Sequence, residues 1–177
     1  MQEVKRALRK QLIERRNQMQ PDEKQLMDES IFGQLKPLLS EADAVLTYVS
    51  TAIEVDTRKL LEYCFDNGIT VATPVSGDSE LFFYQIRCME DLAIGRFGIY
   101  EPVKRVQPFV CTDRTLCIVP ALCADGKGLR LGYGRGYYDR FLDGFIGKSV
   151  IVCYSSFRME VPSEPHDKKA DVTIFDK

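Results

Sequence analysis

A glycine-rich segment at residues 126–139 constrains the fold of this chain most strongly. It holds five glycines, three cations and a terminal carboxylate, Asp139. An apolar run at 116–122, typical of a buried strand, precedes it, and apolar residues from Tyr138 to Phe145 follow at helical spacing. Glycines between a strand and a helix let the backbone approach a ligand and turn amides towards an anion. The segment therefore predicts a phosphate-binding loop, with an ordinary glycine-rich surface loop as the alternative.

Two standard nucleotide-binding motifs do not account for this segment. A Walker loop needs four residues between its glycines, followed by Gly-Lys-Ser/Thr, and the chain contains no such run. A Rossmann fingerprint places its glycines after the first strand, with an acidic residue about 20 positions further on. We therefore predict a phosphate site of another kind. In it, Arg135 neutralises charge that moves during phosphoryl transfer, and Asp139 offers the hard oxygen ligand that Mg²⁺ prefers.

Composition limits the class of protein. A chain of 177 residues with 45% hydrophobic content predicts a single domain over residues 1–177. A formal charge of −2 and a pI near 5.6 give no global attraction to nucleic acid or anionic membranes. The N-terminus is charged, and no apolar run approaches membrane-spanning length. We expect a cytoplasmic protein with no nucleic-acid or membrane partner.

Cysteine and histidine usage disfavours two kinds of site. The six cysteines include no Cys-x-x-Cys pair, and His166 is the single histidine, so a structural zinc site is not expected. A Ser-His-Asp or Cys-His hydrolase is disfavoured as well, because each needs a positioned base for its nucleophile. Free thiols in an apolar strand behave as small core residues.

Apolar spacing predicts helices first and an alternation of strands and helices afterwards. The buried stripe of the first helix is assigned to Val4, Leu8, Leu12 and Met19, and that of the second to Leu26, Ile31, Leu35 and Leu38. Helices are predicted at 3–19, 22–39, from Asp56 or Thr57 to Asn67, and 137–145; strands at 44–49, 69–74, 81–86, 116–122, 149–154 and 172–175. The pattern indicates a three-layer α/β/α domain with a largely parallel sheet.

In an open parallel sheet, ligands bind beyond the carboxyl ends of the strands. The loop at 50–57 and the glycine segment both fall there. Glu54 is thereby placed to accept hydrogen bonds from a polar ligand, although a solvated loop glutamate is the plainer interpretation. Similarly, Lys5 and Arg9 lie four residues apart on one helix face, which suits either a triphosphate or a solvated basic surface.

Several separated motifs are spread along the chain: Lys-Arg-x-Leu-Arg at 5–9, Glu-Val-Asp-Thr at 54–57, Gly-Ile-Tyr-Glu-Pro at 98–102, the glycine segment with 119–126 and 130–142, and Glu-Pro-His-Asp at 164–167 with Asp171. Together they resemble the 5-formyltetrahydrofolate cyclo-ligase family. The resemblance covers nearly the whole chain. Tyr100 stands where relatives often have proline, and Ala121-Leu122-Cys123 replaces a more usual variant.

The resemblance implies roles for particular residues. Implied ATP contacts are Lys5, Arg9, Arg130, Gly132, Tyr133, Gly134, Arg135, Gly136, Tyr137 and Tyr138, with Arg135 also catalytic; implied folate contacts are Val49, Glu54, Phe97, Tyr133 and Tyr137; implied Mg²⁺ ligands are Asp139 and Asp171. For the tyrosines, core packing is the alternative, most strongly for Tyr138.

The resemblance also implies a reaction: ring closure of 5-formyltetrahydrofolate, driven by Mg-ATP through phosphorylation of the formyl oxygen. Positioning and charge stabilisation suffice for such a step, so the lack of a histidine base is no objection. The small-molecule partners would be ATP and a reduced formyl-folate, and the chain a monomer or homodimer. A non-catalytic folate or nucleotide binder on the same fold is the alternative, and a sugar-phosphate isomerase or acyl-transferase is a third class.

Overall fold

The computed structural model describes residues 1–95 and 98–177. In these ranges the helices are α1 (Gln2–Asn17), α2 (Pro21–Glu41), α3 (Arg58–Asp66) and α4 (Tyr137–Asp143). The strands are β1 (Ala44–Leu46), β2 (Thr70–Ser76), β3 (Leu81–Ile86), β4 (Leu92–Ile94), β5 (Tyr100–Pro102), β6 (Thr115–Pro120), β7 (Cys123–Ala124), β8 (Arg130–Leu131), β9 (Lys148–Cys153) and β10 (Val172–Phe175).

The central sheet has six strands in the order β10-β9-β6-β1-β2-β3. All neighbouring pairs are parallel except β2 with β3, which form an antiparallel hairpin at one edge. Helices flank this sheet, so the predicted α/β class with a largely parallel sheet is confirmed. Strands β6 and β9 are buried almost throughout, because helices cover a parallel sheet on its faces.

The strand order reverses between β1 and β6. From β1 the chain moves outwards to β2 and β3, whereas from β6 it moves the other way to β9 and β10. The loops that follow β1 and β6 therefore diverge from the same point at the carboxyl edge. Such a reversal opens a crevice where α/β proteins bind their ligands.

Helix α1 buries part of its predicted stripe together with two cations. Leu12 is buried and Leu8 and Met19 pack against the core, as predicted. The prediction was wrong at Val4, which is 57% exposed, because Lys5 and Arg16 lie on the inner face, where they find carboxylate and carbonyl partners. The inner face of α1 is therefore partly cationic.

Helix α2 follows the expected pattern more closely. Ile31, Leu35 and Leu39 are buried, but Leu26 is 68% exposed and buried Asp28 takes a place on the inner face. The prediction was wrong at Leu26 for the same reason as at Val4: a polar residue occupies the inner face of the turn. Asp28 accepts hydrogen bonds from Lys24 and from the Tyr154 hydroxyl.

The glycine segment is built in two parts. Its first half is a small hairpin, because β7 pairs antiparallel with β8 and the Asp125 carboxylate accepts the amides of Lys127 and Leu129 in the turn. Its second half runs to Gly136, which has a left-handed φ of 67° and precedes α4. At seven residues α4 is shorter than predicted, so any anion site here depends on the loop and its cations.

Within the described residues, we find no helix that combines the length and apolar character needed to span a membrane.

Candidate active site

A cavity of about 460 Å³ lies at the carboxyl edge of the sheet, beside the strand-order reversal. Most of the predicted site residues line it. They are Lys5, Arg9, Val49, Glu54, Arg130, Gly132, Tyr133, Gly134, Arg135, Gly136, Tyr137, Tyr138 and Asp139. Residues from α1, the loop after β1 and the glycine segment thus meet in one place, as the predicted topology requires. Their individual roles stay predictions.

The cavity has two unlike walls. One, the cationic wall, comes from α1 and the glycine segment and carries Lys5, Arg9, Arg130 and Arg135. The other, the apolar wall, comes from the strand ends and the β4–β5 hairpin. Its lining residues are Tyr48, Val49, Pro74, Leu81, Ile99 and the carboxylate of Glu101. The first wall suits an anion and the second suits a flat, largely uncharged ring.

The backbone of the glycine segment presents amides to the cavity. In the part of the chain that the structure describes, no backbone or side-chain acceptor takes a hydrogen bond from the amides of Gly132, Gly134 or Gly136. Gly134 has a φ of 92°, which favours glycine because it has no Cβ. These amides and the neighbouring cations form an arrangement that stabilises oxyanions.

Arg9 fixes α1 against the glycine segment. Its Nε donates to the Gly132 carbonyl at 2.8 Å. A Cβ placed on Gly134 would lie 2.9 Å from the Arg9 Cζ, so the guanidinium packs directly on that glycine. The backbone angle therefore favours glycine at 134, and a side chain there would displace the Arg9 guanidinium.

Lys5 is held by the turn at residues 164–167. Its Nζ lies 2.7 Å from Asp167 Oδ2 and 3.0 Å from Glu164 Oε2, and the residue is 4% exposed. Burial lowers the pKa of Lys5, but its hydrogen bonds to Asp167 and Glu164 raise it by more, so the pKa lies above the usual 10.5. Burial raises the pKa of Asp167, but the hydrogen bond and the charge of Lys5 help to lower it by more, so the pKa lies below the usual 3.8. The ammonium, which lines the cavity, thus stays charged.

Asp139 is the carboxylate nearest to the glycine amides in sequence, and it lines the cavity. Its Oδ1 lies 3.3 Å from the Arg130 Nη2 and accepts the Lys168 amide at 3.2 Å. Arg130 is nearly buried and also donates to the Lys168 carbonyl. Asp139 is thus held in place by its neighbours while it remains one-quarter exposed to the cavity.

The three tyrosines of the segment have different environments. The Tyr137 hydroxyl donates to the Gly77 carbonyl at 3.0 Å and so holds the β2–β3 turn against α4. The Tyr138 hydroxyl is buried without a hydrogen-bond partner among the described residues. Tyr133 is 42% exposed, and burial of its hydroxyl together with the charge of Glu54 raises its pKa. Tyr138 is the tyrosine whose hydroxyl a ligand could satisfy.

The Glu54 side chain is buried in the loop after β1. Its Oε2 accepts the Thr51 amide at 2.8 Å and the Thr51 hydroxyl at 2.9 Å. The residue is 9% exposed, so the alternative of a fully solvated glutamate is wrong. Its carboxylate faces the cavity with a fixed orientation.

Arg16 connects three loops behind the site. This buried guanidinium donates to the carbonyls of Ile53, Ala121 and Leu122 and lies over the rings of Tyr154 and Phe157. It therefore ties α1 to the two loops that leave β1 and β6. Apolar spacing could not reveal it, because arginine is rarely fully buried.

One predicted residue among those described, Asp171, is not brought to this cavity. Its Oδ2 accepts the Ser149 amide at 2.7 Å and the Ser149 hydroxyl at 2.6 Å. Of the two carboxylates predicted to hold Mg²⁺, the structure thus brings only Asp139 to the cavity. Phe97, which is predicted to contact the folate, lies outside the described residues.

A second cavity of about 430 Å³ adjoins the first and shares the glycine segment with it. Both are lined by Gly134, Arg135, Gly136, Asp139 and His166. Ligands that occupied the two spaces would therefore meet at the glycine segment.

Comparisons with known proteins identify the class to which this fold and site belong. The family model for the 5-formyltetrahydrofolate cyclo-ligase family matches residues 1–176, and the chain belongs to that family. The predicted family and enzyme class are confirmed.

Individual relatives agree with this assignment. The 5-formyltetrahydrofolate cyclo-ligase of Escherichia coli K12 is 31% identical over 137 residues, covering 73% of this chain and 74% of that protein. The enzyme of the same name from Mycolicibacterium smegmatis is 28% identical and covers 92% of this chain and 89% of its own. The NMR structure of Aquifex aeolicus 5,10-methenyltetrahydrofolate synthetase matches with a TM-score of 0.85 and 29% identity, over 97% of this chain and 89% of that one.

Proposed function

We propose that this chain catalyses the ATP- and Mg²⁺-dependent cyclisation of 5-formyltetrahydrofolate to 5,10-methenyltetrahydrofolate, with release of ADP and phosphate. The observation that carries the proposal is the pairing of unlike walls in one cavity: glycine amides and four cations line one wall, and apolar side chains with the Glu101 carboxylate line the other. A triphosphate fits the first wall and a reduced pteridine the second. Family membership supports the same reaction class.

In the proposed mechanism, the formyl oxygen attacks the γ-phosphorus of ATP, the bond to the β-phosphate oxygen breaks, and ADP leaves. The phosphorylated formyl carbon is then attacked by N10, whose proton goes to the departing phosphate as the methenyl bridge closes. Activation is needed because the formyl oxygen is a poor leaving group until it is phosphorylated. The overall exchange balances without water or a protein nucleophile.

The cationic wall stabilises the negative charge that develops during phosphoryl transfer. Phosphoryl transfer spreads negative charge over the oxygens around the γ-phosphorus, and positioned donors lower the barrier there. Arg135 lies between Gly134 and Gly136, whose amides donate to no protein acceptor in the described chain. We assign Arg135 to the transferring phosphoryl group, and Lys5 and Arg9 to the binding of the triphosphate.

Asp139 fits a Mg²⁺ ligand in chemistry and place. Mg²⁺ in nucleotide sites is usually held by one or two carboxylates together with phosphate oxygens. Across residues 1–95 and 98–177 no group of three or more acidic, histidine or cysteine side chains gathers, so an ion at Asp139 would share the nucleotide's oxygens. When bound, it would neutralise phosphate charge.

Residues from the loop after β1 and from the glycine segment are assigned to the folate. Glu54, held by Thr51, accepts hydrogen bonds from N–H groups, and Val49 packs against the ring. Tyr133 and Tyr137, which also line the cavity, would separate the nucleotide from the folate.

The proposal is tested by mixing the purified chain with 5-formyltetrahydrofolate and following methenyl absorbance. We expect turnover with Mg-ATP and none without it, with one ADP formed per methenyl product. ATP hydrolysis without cyclisation, or cyclisation without ATP, would contradict the proposal.

Substitution of Asp139 by asparagine should move the Mg²⁺ titration to higher concentration by about tenfold or more. An unchanged titration would remove Asp139 from the metal site. Cytoplasmic localisation and the choice between monomer and homodimer stay predictions.

A further inference from the structure

Glu101 is a buried carboxylate of the cavity that is not among the site residues predicted from the sequence. It lies in β5, is 7% exposed, and lines the cavity together with Ile99 from the same hairpin. Strand β5 pairs with β4 and packs against β2 and β3, so Glu101 belongs to the apolar wall. It is contributed by neither α1 nor the glycine segment.

Among the described residues, this carboxylate has little charge stabilisation. Its charged partner in the described chain is Arg105, whose Nη2 lies 2.8 Å from Glu101 Oε2 but whose side chain is 44% exposed. Ion pairs with a solvent-exposed partner contribute little to stability. Burial of a carboxylate against apolar side chains costs more than that unless further donors are present.

The position of the Glu101 carboxylate is fixed by backbone as well as by Arg105. A Cβ on Gly95 would overlap the Glu101 side chain, so the carboxylate lies directly against the bare Gly95 backbone. The Gly95 amide donates to the Ile99 carbonyl at 2.8 Å, which closes the hairpin around it. A carboxylate held in this way is oriented before any ligand arrives.

The chemistry of the substrate offers further donors to this carboxylate. In a 5-formylated reduced pteridine, the formyl group must point to the γ-phosphate, and therefore to the cationic wall. The pyrimidine half, with its N3–H and 2-amino donors, then points away from the phosphates. Glu54 lies near the glycine segment, since its charge raises the pKa of Tyr133. Glu101 lies instead on the β4–β5 hairpin.

We propose that Glu101 is a specificity-determining residue that accepts hydrogen bonds from the 2-amino and N3–H groups of the pteridine. The inference rests on the proposed function. A carboxylate at this place would repel a phosphate, so it also directs the nucleotide to the other wall.

The test compares Glu101→Gln with a matched control, Arg105→Met, which breaks the same ion pair from its exposed side. Glu101→Gln should raise KM for 5-formyltetrahydrofolate by roughly ten- to a hundredfold, as for loss of a charged hydrogen bond, with KM for ATP within about threefold. Arg105→Met should change both values by less than about threefold. Glu101→Asp should fall between Glu101→Gln and the wild type. Equal increases for Glu101→Gln and Arg105→Met would show that only the ion pair matters and would overturn the inference.

A substrate analogue with a methyl group in place of the 2-amino group isolates the contact itself. The wild type should bind this analogue more weakly than 5-formyltetrahydrofolate, whereas Glu101→Gln should discriminate little between them. Equal discrimination by both proteins would exclude the contact. Urea unfolding of each variant checks the fold. The outcomes separate cleanly: a wild type without ATP-dependent turnover refutes the proposed function, whereas an active wild type with an unaffected Glu101→Gln refutes only the role of Glu101.

Discussion

The two walls of the cavity differ in how they are made. The cationic wall is compact in sequence, because Arg130, Arg135 and Asp139 lie within one segment to which α1 adds two cations. The apolar wall is assembled from residues just after β1, on β2 and β3, and on the β4–β5 hairpin. The difference teaches that a charged ligand can be bound by one continuous motif, whereas the shape of a ring is recognised by residues that only the sheet brings together.

Replacement of Arg135 tests the cationic wall most severely. Arg135→Ala should lower kcat by roughly a hundred- to a thousandfold, because a positioned donor to transition-state charge is lost, while KM for ATP changes far less. Steady-state kinetics measures both. Lys127→Ala, which removes an exposed cation in the hairpin turn of the same segment, serves as control and should leave kcat unchanged. A kcat for Arg135→Ala equal to that of the wild type would remove Arg135 from the mechanism.

Loss of Lys5 should reduce stability as well as ATP binding. Lys5→Met leaves Glu164 and Asp167 without their cation and should lower the free energy of unfolding by about 1–3 kcal/mol. Arg6→Met, on the exposed face of α1, is the control.

The stability loss should depend on pH. The lowered pKa of Asp167 means that its contribution is present above the usual value of 3.8 and is lost as the pH falls through the folded value. The raised pKa of Lys5 keeps its contribution complete below 10.5. Urea unfolding of wild type and Lys5→Met should therefore differ at neutral pH and converge in acid. A difference that persists unchanged below pH 3.8 would contradict this ion pair.

A methyl group at Gly134 tests the junction between α1 and the cationic wall. Gly134→Ala forces a non-glycine residue into a φ of 92° and displaces the Arg9 guanidinium, so KM for ATP should rise roughly tenfold while KM for the folate stays the same. Gly33 in α2 has open space around it, and Gly33→Ala should instead stabilise the protein by about 0.5–1 kcal/mol. Equal KM increases for both substrates would mean that Gly134 supports the whole cavity.

The smallest effect is expected on the apolar wall. Val49→Ala removes two methyl groups from the cavity lining and should raise KM for the folate by no more than about tenfold, with KM for ATP unchanged. Val106→Ala, at a position 95% exposed, is the control. A change in KM for ATP larger than that for the folate would reverse the assignment of the two walls.

Regular elements were predictable where local signals agree. The predicted strands at 81–86 and 172–175 match β3 and β10, because apolar or β-branched runs with clear turn residues define them. The prediction was wrong at Val4 because periodicity counts apolar residues, whereas the inner face of α1 binds carboxylates and carbonyls through Lys5 and Arg16.

Parts of the site were predictable from the sequence, whereas others were not. Glycine spacing indicated the cationic wall, but it did not show that Gly126 and Gly128 belong to a hairpin turn between β7 and β8. Glu101 was visible only as part of a family motif, since its burial depends on packing of β5 against distant strands. Asp171 resembled a metal ligand in sequence, yet its carboxylate holds Ser149 at the start of β9.

The contacts of α1 have a consequence for the order in which the protein can mature. This helix is synthesised well before its partners, because the partners of Lys5 lie 159 and 162 residues later and the carbonyl that binds Arg9 lies 123 residues later. Domains fold as the chain emerges, and a contact between distant segments must wait until the later segment has been made. The contacts that hold α1 at the cavity are therefore complete only after residue 167 has been synthesised.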